Sequence, residues 1–425
     1  MFNLSAYKAR SVDHVITKAL ATFGCVCIEG PKWSGKTWTS VKHSRSQFYL
    51  GDPEGNFQNR TLAQLSPAAV LKGDTPRLLD EWQEVPSLWD AVRFAVDQAG
   101  APGQFILTGS STPKRKGILH SGAGRIVKLQ MRTMSLFESG DSSGMVSLQD
   151  LFNHHCPAQM TGDVSLENLI YLTVRGGWPA SIGRPRDSAA DIPLAYINLL
   201  LDEDVFKIDD IRRNRRKLEL LLRSLARNES STASMTRLQT DVKEKDMEDI
   251  STDTIAEYLD LFSRMFLLAN QPPFSPAMRS SVRLRQAEKR HLTDPSLACA
   301  LLKATPEKLL ADLNTFGFLF EALCERDLDI YVRTLGGTLY HYQDFNGREV
   351  DAIVELPDGQ FAAFEIKLGA QQIDEAAKNL LDFSDQLEKA KAAKPVFLCV
   401  LCGMSSAAYQ RQDNVFVVPI TAMKP

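Results

Sequence analysis

The stretch GPKWSGKTWTS, Gly30 to Ser40, decides how the chain is read. Its first eight residues, Gly30, Pro31, Lys32, Trp33, Ser34, Gly35, Lys36 and Thr37, fit the pattern G-x-x-x-x-G-K-[ST]. A strand-like FGCVCIE precedes them and a helix-compatible TWTSVKHSR follows, which is the strand–loop–helix setting the pattern requires. The glycines let the backbone N–H groups of the loop close around phosphates. Lys36 would bridge the β and γ phosphates of ATP, and the Thr37 hydroxyl would ligate Mg²⁺. The loop does not say what the nucleotide is used for, so the rest of the chain must.

Downstream, RLLDEWQ ends an apolar strand in Asp80 and Glu81. Asp80 is placed to hold the metal through water and Glu81 to polarise the attacking water, although a strand ending in two acids is also an ordinary solvated turn. VPSLWDAVRFAVDQAG repeats Val85, Leu88, Trp89, Val92 and Val96 at helical spacing, and QFILTGSST is a further apolar strand ending in hydroxyls. This β-α-β order predicts a parallel sheet with Thr108 and Ser110 at its C-terminal edge, either as γ-phosphate sensors or as a plain strand boundary. Arg125, in HSGAGR, is either a finger reaching a neighbouring subunit's γ-phosphate in a homo-oligomer or a surface arginine.

With 425 residues the chain predicts two or three domains. A hydrophobic content of 44%, a charged content of 24% and a net charge of −3 argue neither for nor against an anionic partner, so any basic surface is local. The apolar run Ala19 to Ile28 is too short to span a bilayer and has no cleavage region after it, so a cytoplasmic protein without a membrane partner is expected. Seven scattered cysteines suggest no disulfide framework. Cys25 and Cys27 alternate in a buried strand, and Cys399 and Cys402 lie in an apolar run that reads as core rather than a zinc or redox pair.

The chain resembles the AAA+ ATPases of bacteria and archaea that carry a C-terminal domain of unknown function. The resemblance runs over most of the length and rests on GPKWSGKT, LLDEWQ, FILTGSS, HSGAGR, MRTMSLFES, RGGWPAS and REVDAIVE…FEIK. The family usually has a proline where this chain has Thr133, which is expected to loosen that turn without touching a catalytic group. The resemblance implies an α/β fold class: an AAA+ P-loop ATPase domain with a parallel sheet over 1–160, a helical lid and winged-helix-like region over 165–300, and a restriction-endonuclease-like domain of the PD-(D/E)XK type over 308–425. Gly140 to Asp163 reads as linker or insertion.

In the middle region, residues 168–228 read mainly as helices, and IRRNRRKLELLLRSLARN carries Arg212, Arg213, Arg215, Arg216, Lys217, Arg223 and Arg227 against a single Glu219. Such a run is either a basic binding face or a solvated one. SSTASMTRLQTDV and ISTDTIAEYLDLFSRMFLLANQPPF have helix-turn-helix proportions, with Ser251 or Thr252 as cap and an apolar stripe of Ile255, Leu259, Phe262 and Phe266. MRSSVRLRQAEKRHLTD would be a β-wing holding Arg279, Arg283, Arg285, Lys289 and Arg290 against Glu288, a local positive potential suited to DNA. Winged helices also serve as packing modules.

In the last hundred residues, GFLFEALCERDL reads as an amphipathic helix bearing Glu321, LYHYQDFNGREVDAIVEL as a hairpin turning at Asn346-Gly347, and QFAAFEIKLG as the next strand. Alternation puts Glu365 and Lys367 on one face with Ile366 toward the core. That order matches the PD-(D/E)XK pattern: Asp351 and Glu365 as Mg²⁺ ligands, Glu321 nearby, and Lys367 at the attacking water. The alternative is a half-buried strand with Glu and Lys facing solvent. At the level of the whole protein, the expected Mg²⁺-dependent ATPase either drives a nuclease on DNA, toggles a non-cutting regulator that binds DNA or a protein partner, or remodels polypeptides.

Overall fold

The computed structural model describes residues 3–112, 119–205, 213–244, 250–277, 286–344 and 347–425. Its contacts divide the chain into two units. The first comprises 1–133, 203–212 and 260–267, and the second 134–202, 213–259 and 268–425.

In the first unit, α1 (Asp13–Thr22) leads into β1 (Cys25–Glu29), the loop and α2 (Lys36–His43). There follow β2 (Ser46–Tyr49), α3 (Glu54–Leu65, interrupted by left-handed residues at 55–57), the short α4 (Pro67–Val70) and β3 (Arg77–Asp80). The last elements are α5 (Leu88–Ala99), β4 (Phe105–Gly109) and β5 (Ile126–Gln130). The five strands form one sheet in the order β2-β3-β4-β1-β5, and every pairing is parallel. Because the sheet is covered on both faces, β1 and β4 are buried at every position and read as continuous apolar runs. Leu88, Trp89, Val92 and Val96 of α5, with Val85 before it, are all buried, as their spacing predicts. Since the strands run parallel, the ends of β1, β3 and β4 bring Gly30, Asp80 and Thr108 to one edge.

The second unit opens with α6 (Leu136–Ser139), ended by Gly140 in the left-handed conformation, then β6 (Val146–Ser147), α7 (Leu148–Phe152) and β7 (Gln159–Met160). Residues 134–160, grouped by sequence with the ATPase domain, therefore pack in this unit. The segment from Gly140 to Asp163 is no loose linker, because β6 pairs with β14 (Met423–Lys424) and β7 covers the edge strand β12 (Ala407–Gln410).

Helices α8 (Leu166–Arg175), α9 (Asp191–Leu199), α10 (Arg215–Arg227), α11 (Met235–Lys243) and α12 (Thr252–Arg264) follow, with α12 from Asp260 onward belonging to the first unit. Ser251 caps α12 by accepting from the Thr254 amide at 3.1 Å, and Ile255, Leu259 and Phe262 are buried; Phe266 is buried just past the helix end. Residues 268–271 then pair antiparallel with 289–292. Arg212, Arg279, Arg283, Arg285 and Asn346 lie outside the described residues.

Helices α13 (Pro295–Leu302) and α14 (Pro306–Ala311) precede α15 (Leu313–Thr334). Sequence predicts an amphipathic helix here. Instead α15 is buried from Ala322 through Val332, and Arg326, Asp327 and Asp294 satisfy one another inside, with Arg326 Nη2 2.7 Å from Asp327 and Nη1 3.1 Å from Asp294. The remaining sheet holds β8 (Thr338–Gln343), β9 (Glu349–Glu355), β10 (Phe361–Lys367), β11 (Leu398–Cys402) and β13 (Phe416–Pro419), with α16 (Ile373–Lys389) between β10 and β11. Its order is β7-β12-β13-β11-β10-β9-β8, parallel at β10/β11 and β11/β13 and antiparallel elsewhere. Cys399 and Cys402 are free and buried in β11, as Cys25 and Cys27 are in β1. Among the described residues no helix is long and apolar enough to cross a membrane.

Candidate functional site

The loop after β1 is shaped by close backbone approach. A Cβ on Gly30 would lie 2.1 Å from the Met131 carbonyl oxygen, so only glycine fits where the loop passes the end of β5. Gly35, at φ 97°, takes the left-handed turn that starts α2. Within this loop Ser34 Oγ is fully buried and has no hydrogen-bond partner among the described residues. Lys36 is 4% exposed, and its ammonium makes one hydrogen bond there, to the Pro31 carbonyl at 2.8 Å. Burial pushes its pKa down to about 8, against the pull of Glu81 and Asp80. A buried cation with unused donors beside an orphaned hydroxyl is a cradle suited to phosphate oxygens.

The acids and hydroxyls at the sheet edge form one network. Asp80 Oδ1 accepts from Thr37 Oγ1 at 3.0 Å and from Thr108 Oγ1 at 2.7 Å. Thr108 Oγ1 in turn accepts from the Glu81 amide at 2.9 Å. Ser110 Oγ donates to Glu81 Oε2 at 2.7 Å, and Gln83 Nε2 donates closely to the same oxygen. Burial raises the Asp80 pKa, with both hydroxyl bonds opposing it. Thr37 and Asp80 together offer the oxygen ligands a hard cation takes, so the residues present fit Mg²⁺ here. Glu81 sits at φ 59°, a left-handed conformation costing about 1–3 kcal/mol that the bonds around it hold in place.

The hydroxyls of Thr108 and Ser110, read from the sequence either as γ-phosphate sensors or as a strand boundary, donate to Asp80 and Glu81 respectively. Arg125 precedes β5 at the end of the sheet opposite the loop: its carbonyl accepts from the Cys25 amide at 3.0 Å, and its guanidinium pairs with Asp97 at 2.7 Å. It does not meet the phosphate loop of its own chain.

Two contributors are not assigned a role by the sequence. Gln83 closes the RLLDEWQ stretch, and Arg10 lies in an unremarkable KARSVDH. Arg10 donates to the carbonyls of Ser34 at 2.8 Å, Arg132 at 2.8 Å and Thr133 at 3.1 Å. The turn at Thr133 is thus fastened to the phosphate loop rather than loose.

The second constellation is assembled differently. Lys367 Nζ lies 2.6 Å from Glu365 Oε2 and 3.0 Å from Asp351 Oδ2, which also accepts from the Ile366 amide at 2.7 Å. Glu321 does not join these three directly. It is bound closely by Lys289 Nζ, which also donates to Glu325 Oε1 at 2.7 Å and to the Asp351 carbonyl at 3.3 Å. Burial raises the pKa of Glu321, Glu325 and Glu365, while the surrounding carboxylates raise those of Lys289 and Lys367. Among the described residues no group of three or more His, Cys, Asp or Glu is arranged to hold a metal. With a lysine engaging each acid, the residues do not fit Mg²⁺ at this place. Lys289 and Glu325 carry no site signal in the sequence: the first sits in the run that reads as a wing, and the second lies one turn beyond Glu321.

The basic helix is largely compensated. Arg215 pairs with Asp202 at 2.8 Å, Arg223 with Glu219 at 2.7 Å and Arg227 with Asp241 at 2.7 Å. On α12, where a helix-turn-helix would read DNA, Asp253, Glu257 and Asp260 are exposed, with Glu257 3.4 Å from Arg213 and Asp260 2.9 Å from Arg264.

Residues 22–139 match the family model of an AAA domain, 166–308 a domain of unknown function (DUF8612), and 316–423 another (DUF4143). The chain is 23% identical over 359 residues to an uncharacterized protein of Mycobacterium tuberculosis and, at the same figures, to one of Mycobacterium bovis, spanning 83% of this chain and 72% of each relative. A solved Walker-type ATPase of Pyrococcus abyssi is similar with a TM-score of 0.43 and 12% identity, over 70% of this chain and 97% of that one. The N-terminal region is an AAA-type P-loop ATPase domain, a class that binds and hydrolyses ATP.

Proposed function

We propose that the protein is a Mg²⁺-dependent ATPase whose nucleotide state controls partner binding by a non-cutting second unit. The observation that carries the first half is the network from Thr37 through Asp80, Thr108 and Glu81 to Ser110, set beside an under-coordinated Lys36. Residues Gly30 to Thr37 would wrap the phosphates, Lys36 would contact their oxygens, and Thr37 with Asp80 would hold the metal. Bound Mg²⁺ supplies charge neutralisation at the phosphates. Glu81 orients and polarises the attacking water, with Ser110 and Gln83 fixing its carboxylate and Thr108 aiming Asp80. Arg125 can complete a γ-phosphate site only in a neighbouring chain, which predicts that any loss on Arg125→Ala depends on protein concentration.

The order of helix, hairpin and strand bearing Glu321, Asp351, Glu365 and Lys367 supports a restriction-endonuclease-like origin for residues 308–425, and the lysine pairing of their acids supports silence. The ion pairing of the α10 arginines favours a polypeptide partner over DNA. The deciding assay is ATP hydrolysis with Mg²⁺, with and without single- and double-stranded DNA, beside Lys36→Ala. Hydrolysis indifferent to DNA is expected; stimulation by DNA would return the middle region to nucleic acid. Plasmid nicking by the native chain that disappears in Glu365→Ala would overturn the non-cutting reading.

A further inference from the structure

We propose that the Lys289 ammonium is a built-in cation, holding the oxygens of Glu321, Glu325 and Asp351 where a divalent metal would otherwise sit, and that a chain lacking this ammonium binds one divalent ion there. The inference rests on the non-cutting reading of the second unit and gives it a cause.

Lys289 is placed by its backbone. Its amide donates to the Gln271 carbonyl at 3.0 Å and its carbonyl accepts from the Gln271 amide at 2.9 Å, so the residue is locked in an antiparallel pair with its side chain buried. An ammonium has three hydrogens to donate, and three oxygens meet this one: Glu321 Oε1, Glu325 Oε1 and the Asp351 carbonyl. Two carboxylates and a backbone carbonyl are also the oxygen types a hard divalent cation collects. Glu321 and Glu325 are one turn apart on α15 and so present their carboxylates together. Glu325 is fixed from behind, its Oε2 lying 3.3 Å from His291 Nε2 and 3.4 Å from Ser230 Oγ. The Asp351 carboxylate is turned instead toward Lys367. Lys289 therefore has the first contacts of a cation site with no position left for a metal.

The test is Mn²⁺ binding to the nucleotide-free full chain, read by electron paramagnetic resonance and by melting temperature. The native chain is compared with Lys289→Ala, with Lys289→Met, which keeps an apolar stem, and with Lys289→Ala combined with Glu321→Gln. The expected result is one additional saturable Mn²⁺ in the single variants, with a melting temperature that rises with Mn²⁺, and loss of both when Glu321→Gln is added. If the single variants are unfolded alone, folding on addition of Mn²⁺ supports the proposal and failure to fold overturns it. Folded single variants that take up no additional Mn²⁺ also overturn it, as does a native chain that already binds a Mn²⁺ lost on Glu321→Gln. The nicking assay is separate: missing metal uptake sinks the built-in cation alone, whereas nicking sinks the non-cutting reading whatever the Mn²⁺ result.

Discussion

Lys36 and Lys289 are both buried, and burial alone drives both ammonium groups toward neutrality. Lys36 meets a single backbone carbonyl among the described residues and falls to about 8. Lys289 meets two carboxylates and a carbonyl, and their field more than offsets burial, lifting it above the usual lysine range. The first is a cation with one backbone acceptor among the described residues; the second already has its anions and behaves as part of the fold. The same contrast separates the acids around them. Asp80 and Glu81 are aimed by hydroxyls, while Glu321 and Glu365 are closed by lysines.

The sharpest way to break this contrast is at the acid that should do chemistry. Glu81→Gln keeps the shape and the Ser110 contact but removes the charge that polarises water, so kcat should fall about 10²–10⁴-fold with ATP still bound. Steady-state hydrolysis beside equilibrium nucleotide binding checks it, and an equal loss of binding would make Glu81 structural. On the other side, Lys289→Met should leave Glu321 and Glu325 uncompensated and cost about 3–5 kcal/mol in urea unfolding. A smaller cost would mean that the two carboxylates simply take up protons. Ser110→Ala should be milder: it removes one hydrogen bond to a charged group, of about 1.5–3 kcal/mol, and so should lower kcat by roughly 10–100-fold at nearly unchanged KM. If Ser110 were a direct γ-phosphate contact instead, KM would move as well.

The two sites also differ in how far the sequence reveals them. The phosphate loop, the two acids and the hydroxyl-ended strand are short contiguous motifs, and parallel pairing of β1, β3 and β4 carries their ends to one edge without further information. What motifs do not carry is the partner list. Arg10 reaches the loop from before α1, and Asp202 and Asp241 neutralise arginines whose own window holds only Glu219. Lys289 reads as one charge among several in a basic run, because its acids arrive from α15 and its third acceptor, a backbone carbonyl, from β9. Charge counted along the chain overstates a basic surface whenever folding brings acids from elsewhere.

The smallest expected effect is a pH dependence, and it concerns Lys36 alone. Its ammonium is held at about 8 in the nucleotide-free chain, below the ordinary value of about 10.4, because burial disfavours the charge. Without nucleotide, the penalty this imposes on folding is full below pH 8 and fades as pH rises toward about 10.4, where the unfolded chain also loses its proton. Nucleotide binding has the opposite sign, since phosphates favour the ammonium: affinity should be flat below pH 8 and weaken as pH rises through it, by roughly tenfold between pH 7 and pH 9, with proton uptake on binding. Calorimetry in buffers of different ionisation enthalpy reads that uptake directly. Lys36→Arg stays charged throughout this range, so whatever affinity it retains should lose the pH dependence; a slope that persists in the variant would assign the titration to another group.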